Sequence, residues 1–153
     1  MDEATLIRQS RLAGSVARYA LAVTLLLAGC SKATDIPEFM DLLRAAISVS
    51  ETTARFLALA ITAGEISIGT GLLLSPFQDA FRRLGVLMLV TFTAYLASGY
   101  LRGEPAADCG CILFLSMPAG WAIVRNLALI GVCVMAELPG HVLVRRRGTG
   151  TGP

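Results

Sequence analysis

The stretch ARFLALAITAGEISIGTGLLL, Ala54 to Leu74, decides the fold. It is long enough to cross the hydrocarbon of a bilayer, which takes about 20 mostly apolar residues within a range of about 17 to 25. Beyond Arg55 at its start, its one ionisable side chain is Glu65, at its centre. Working outward, three more stretches have the same character: Ser15 to Cys30, the shortest, then Leu84 to Leu101 and Pro118 to Leu138. The whole 153-residue chain agrees with this reading. It is 55% hydrophobic and only 16% charged, with a mean hydropathy of +0.68. A soluble domain carries about 25% charge because water must wet its surface. The predicted fold is an all-α membrane protein, a bundle of four transmembrane helices. Its parts are an N-terminal segment 1–14, a transmembrane domain 15–138 and a basic tail 139–153 whose last residues, Gly148 to Pro153, read as disordered.

Charge sets the orientation. Arginine and lysine gather on the cytoplasmic side of membrane spans. Arg8, Arg11, Arg18, Arg82, Arg83, Arg145, Arg146 and Arg147 flank one side; Lys32, Arg44, Arg55 and Arg102 flank the other. Eight against four predicts a multi-pass protein of a bacterial inner membrane with both termini cytoplasmic. The first and third connections are then extracytoplasmic. A net charge of +2, distributed over segment ends, gives no nucleic-acid surface; the lipid bilayer is the partner the composition demands.

The first connection holds a helix signal. Asp35-Ile-Pro-Glu38 pairs a capping residue with proline in the first turn and glutamate three residues on. Ile36, Phe39, Met40, Leu43, Ala46 and Ile47 then follow helical spacing. This predicts a short amphipathic helix on the outer membrane surface or capping the bundle. Just before it, Leu27-Ala28-Gly29-Cys30-Ser31 also looks like a lipoprotein signal with Cys30 as the lipidated residue. The three spans that follow, and Asp2 and Glu3 in the leading segment, speak against that reading.

Ionisable groups within spans are costly, so each is a functional-site hypothesis. Counted from the outer ends, Arg125 lies about 6 Å shallower than Glu65 at 1.5 Å per residue, a gap two long side chains can close. The sequence therefore predicts a polar pair of Glu65 with Arg125, direct or through Asn126 or water. Its two readings are a register-fixing ion pair and a proton-transfer site. Ala63, Ser67 and Gly71, beside Gly64 and Gly69, have the small-residue spacing that lets helices approach closely. Tyr100 and Trp121 suit the interfacial aromatic belt. Glu137 lies near the inner end of its span, and His141, with no cysteine or histidine near it in sequence, reads as a tail residue rather than a metal ligand.

The strongest chemical signal is Asp108-Cys109-Gly110-Cys111, in the extracytoplasmic connection Arg102 to Met117. Disulfides persist in such a compartment. A Cys-x-Cys bridge closes a very small ring, and departures from relaxed geometry favour reduction. Redox exchange, a permanent clip and a soft-metal site all remain open, although no histidine or further cysteine in the loop completes a metal set. Cys30, at the outer end of the first span, is a candidate third thiol or a small buried residue; Cys133, deep in the fourth span, reads as packing. No quinone or flavin motif is recognisable, and no cofactor is identified.

These residues together resemble a family. Asp108-Cys-Gly-Cys111 after a third span, followed by Trp121 and then Arg125-Asn126, is similar to the methylamine-utilisation protein MauE family, within the wider DoxX-like group of four-helix membrane proteins. Ala28-Gly29-Cys30-Ser31-Lys32 with Asp35 and Phe39 resembles the group's end of the first helix, and Glu65 with the glycine-rich stretch to Leu74 its second. The resemblance covers about Ala20 to Leu138. It implies a redox-associated protein that supports maturation of a disulfide-rich periplasmic partner, methylamine dehydrogenase in that family, beside a thioredoxin-like protein. It implies Cys109 and Cys111 as the redox pair and Arg125 and Asn126 as the fourth-helix motif. One feature departs from the family: Cys-Gly-Cys usually continues with Phe-Gly, whereas Ile112-Leu113-Phe114-Leu115 stands here. That apolar run fits packing against a partner or the membrane. The alternative function is therefore a non-catalytic subunit of a larger membrane complex, with the cysteine pair as a clip.

Overall fold

A computed structural model of the chain describes residues 3–101 and 119–147, and the side chains of 12–99, 101 and 120–135. Among them are five helices and no strand: α1 Glu3–Thr34, α2 Ile36–Ile47, α3 Glu51–Leu74, α4 Gln78–Leu101 and α5 Ala119–Arg147. Three helices are long and apolar enough to cross a membrane: Leu12–Thr34 with 23 residues, Glu51–Leu74 with 24, and Gln78–Gly99 with 22. The first span is thus longer than its apolar run, because the helix continues through Lys32. In α5 the described apolar stretch is shorter, Gly120–Met135.

Each long helix buries one stripe at the three- and four-residue spacing of an α-helical face. The stripe is Ala17, Leu21, Leu25, Ala28 and Lys32 on α1; it is Ala54, Ala58, Thr62, Glu65, Gly69 and Leu72 on α3. On α4 it is Gly85, Leu89, Thr93 and Leu96, and on α5 Ala122, Asn126 and Cys133. The opposite faces leave large apolar side chains exposed, among them Phe56, Leu59, Leu87, Val124 and Leu127. That inversion of the soluble pattern suits lipid-facing surfaces. Trp121 is also exposed, near the start of α5.

The helices close a ring in which α1 packs on α3 and α5, and α4 on the same two. Close contacts fix their directions. A Cβ on Gly29 would lie 2.7 Å from Ile66, and one on Gly69 would lie 2.8 Å from Leu26, so α1 and α3 run antiparallel and nearly touch. Gly85 faces Leu21 and Leu25, while Phe92 faces Lys32, so α4 runs parallel to α1. Cys133 joins the apolar core of Ala17, Leu21, Leu72 and Leu89, while Asn126 lies across a small cavity from Thr24 and Ala28, which sets α5 antiparallel to α1. The small residues that make the α1–α3 approach are Gly29 and Gly69. Gly69 belongs to the small-residue set read from the sequence; of the other members, Ala63 and Ser67 are exposed, Gly64 meets open space and Gly71 faces the ring of Phe81.

Capping defines the connections. Asp35 accepts a hydrogen bond from the Glu38 amide at 3.1 Å, with Pro37 in the first turn of α2. Ser48 ends that helix in the left-handed conformation at φ 50°, its amide donating to Arg44. Ser50 then caps α3 by accepting from the Thr53 amide. Phe39 is buried while Glu38, Asp41 and Arg44 are exposed, and α2 packs on α3. At the other end of the bundle a short turn joins α3 to α4, and Arg18 of α1 donates to Gln78 of α4.

Candidate polar site inside the bundle

Burial of the α1 and α3 stripes brings two opposite charges face to face. Lys32 is 3% exposed and Glu65 4%. The Lys32 Nζ donates to both carboxylate oxygens of Glu65, at 2.6 and 2.8 Å. The rings of Phe39 and Phe92 flank the ammonium at 5.4 and 5.1 Å from their centroids. Side chains from four helices, α1 to α4, therefore converge on one cation. An ammonium in hydrocarbon is costly unless paired; the carboxylate supplies the charge, and the aromatic faces supply further attraction.

The sequence reading has Arg125 as the partner of Glu65. In the structure the ion pair belongs to Lys32 instead. Depth along the spans does bring Glu65 and Arg125 together, since both line one small cavity with Asn126, Thr24, Ala28 and Phe92. Yet the Nη2 of Arg125 donates to its neighbour Asn126, at 3.3 Å to Oδ1. Asn126 is 1% exposed, and the Arg125 Nε is buried with no hydrogen-bond partner among the described residues. The site is thus a buried ion pair beside a second, cationic arginine whose fork is partly satisfied.

Lys32 escapes a reading that counts charges by their distance from an apolar run, because the run stops at Cys30 and Lys32 counts as a flanking residue. The signal lies in the periodicity. Leu21, Leu25, Ala28 and Lys32 share one face of α1, so the lysine continues the core stripe rather than leaving it.

Cys30 is an exposed thiol and Cys133 is buried in the core, and no disulfide joins the described cysteines. Cys30 precedes Lys32, which faces Phe92, and α4 continues nine residues beyond Phe92 to Leu101. At 1.5 Å per residue that is about 13 Å, so Cys30, on the exposed face of α1, lies well short of the level at which α4 ends. Cys109 and Cys111 lie outside the described residues, as does the tail 148–153; the side chains of Tyr100, Glu137 and His141 are likewise outside them. Among the described residues no cluster of three histidine, cysteine or acidic side chains has metal-binding proximity.

The sequence profile of the family described as "Methylamine utilisation protein MauE" matches residues 10–138. The Methylamine utilization protein MauE of Paracoccus denitrificans is 30% identical over 129 residues, 82% of this chain and 69% of that protein. Its counterpart in Paracoccus versutus is 26% identical over 121 residues, 78% of this chain and 65% of that protein. The chain therefore spans about two thirds of the length of these relatives. No solved structure matches the chain.

Proposed function

The chain belongs to the MauE family of methylamine utilisation proteins, and from that premise we propose that it supports disulfide formation in an extracytoplasmic partner through Cys109 and Cys111. The observation that carries the reading is Asp108-Cys-Gly-Cys111 in the connection between α4 and α5, within the region that matches the family. In this reading α5 crosses the bilayer with the other three long helices, making a four-span bundle of the inner membrane with both termini cytoplasmic. Lys32, buried with Glu65, drops out of the outer flank, so the arginine and lysine imbalance of eight against four becomes eight against three. The helix α2 then lies at the outer face, the side to which the charge count assigns the connection that bears the thiols.

The chemistry follows thiol–disulfide exchange. A partner thiolate attacks the Cys109–Cys111 disulfide and forms a mixed disulfide, releasing one of the two as thiolate. A second partner thiolate then attacks that bridge. The partner leaves with a disulfide, and Cys109 and Cys111 are reduced by two electrons. A thioredoxin-like protein of the same compartment, arriving in its disulfide form, closes the cycle: the Cys109 and Cys111 thiolates attack its disulfide in turn, their own bridge re-forms, and it leaves as the dithiol. Glu65, Lys32, Arg125 and Asn126 hold the helices that present the loop. A second reading, a membrane subunit with the pair as a permanent clip, is favoured by the apolar run Ile112 to Leu115.

Trapping separates the two. In cells carrying Cys109→Ala or Cys111→Ala, the remaining thiol accumulates a mixed disulfide with the partner, visible as a reducible higher-mass band. The redox reading fails if neither variant traps a protein and the double variant keeps full function.

A further inference from the structure

We infer that the cavity between α1, α3, α4 and α5 is a binding site for one water molecule, which joins Arg125 to the Lys32–Glu65 pair. Three observations converge there. The cavity has a volume of about 20 Å³, above the roughly 10–15 Å³ that a single water needs on this measure. Its walls are polar where it matters: Glu65, Asn126, Thr24 and Arg125 all line it, giving a water the two to four partners that make burial favourable. Arg125 also brings a buried Nε–H with no partner among the described residues.

Charge makes the site directional. Lys32 and Glu65 neutralise each other through two short hydrogen bonds. Arg125 adds a positive charge whose one described acceptor is the uncharged Asn126 carbonyl. A water accepting from the Arg125 Nε–H donates onward to the Glu65 carboxylate, which has lone pairs beyond the two that Lys32 occupies. An apolar guest leaves the Nε–H unsatisfied and therefore costly to bury. The inference is independent of the redox reading, since it rests on the bundle interior and not on the cysteine loop.

Water-edited solid-state NMR of the full chain in phospholipid bilayers tests this. Polarisation starting on water reaches the side chains of Arg125 and Asn126 as early as those of exposed Glu38 and Asp41, and well before buried Leu21 and Leu72. Ala28→Leu fills the cavity wall and abolishes the early transfer at Arg125 and Asn126 while Glu38 and Asp41 are unchanged. Thr24→Ile adds volume at the same wall and serves where Ala28→Leu does not fold. Build-up at Arg125 and Asn126 as slow as at Leu21 in the unmodified protein overturns the site. So does early transfer that persists in the filled variant, because water then arrives by another route.

Discussion

Two ion pairs in this chain use the same chemistry and differ in almost everything else. Asp41 and Arg44 lie one turn apart on α2, 3.7 Å from each other, with side chains 78% and 47% exposed. Lys32 and Glu65 come from different helices, 2.6 Å apart, with side chains 3% and 5% exposed. The first pair is local and wetted, so solvent and side-chain entropy cancel most of its attraction. The second exists only once α1 and α3 have packed, and each member makes the other tolerable in a low-dielectric interior. Sequence separation and burial, rather than residue type, set the two pairs apart.

The strongest way to break that contrast is to remove one buried partner. Lys32→Ala or Glu65→Ala strands a charge in the bundle, and each is expected to lower stability by about 3–5 kcal/mol, read as unfolding in bicelles. The exchanged pair, Lys32→Glu with Glu65→Lys, recovers part of the loss. Equal damage from the exchange and from either single change would mean that pairing is not what the site requires. A smaller effect sharpens the cause. Gly69→Val pushes a side chain into Leu26 and the Ala22 carbonyl, forcing α1 from α3, with an expected loss of about 1–3 kcal/mol from overpacking. Distances between spin labels on exposed positions of α1 and α3 should lengthen in that variant. The smallest effect belongs to α2. Arg44→Ala is expected to change stability by less than about 1 kcal/mol, and a loss as large as that of Lys32→Ala would erase the distinction between the two pairs.

Much of this architecture is legible in the sequence because hydropathy and helical periodicity act locally. Ala54 to Leu74 reads as a span, and Asp35 with Pro37 and Glu38 reads as a helix start, from residues within a few turns of one another. The charge partners are not legible in the same way. Glu65 announces itself by lying inside an apolar run, and Arg125 is the visible candidate because it too lies inside one. Lys32 sits past the end of its run, and only the register of Leu21, Leu25 and Ala28 reveals that it faces inward. The small residues show the same limit: Ala63, Ser67 and Gly71 share a spacing, but it is Gly69, from the same stretch, that lies with Gly29 at the α1–α3 contact. Spacing within one helix carries no information about which neighbour the face meets. The thiols are a third case: Cys109 and Cys111 fit exchange, a clip or a soft-metal site by type and spacing alone, and the partner that the proposed exchange needs is not written in this sequence.

The lysine near the end of α1 also bears on how the protein is made. Helix α1 precedes α3 in the chain, so Lys32 is synthesised before Glu65. Until the second long helix arrives, the ammonium has no carboxylate and must reach toward headgroups or remain with the insertion machinery. The cost of an unpaired ammonium in hydrocarbon thus ties the placement of α1 to that of α3, the helix that brings its carboxylate.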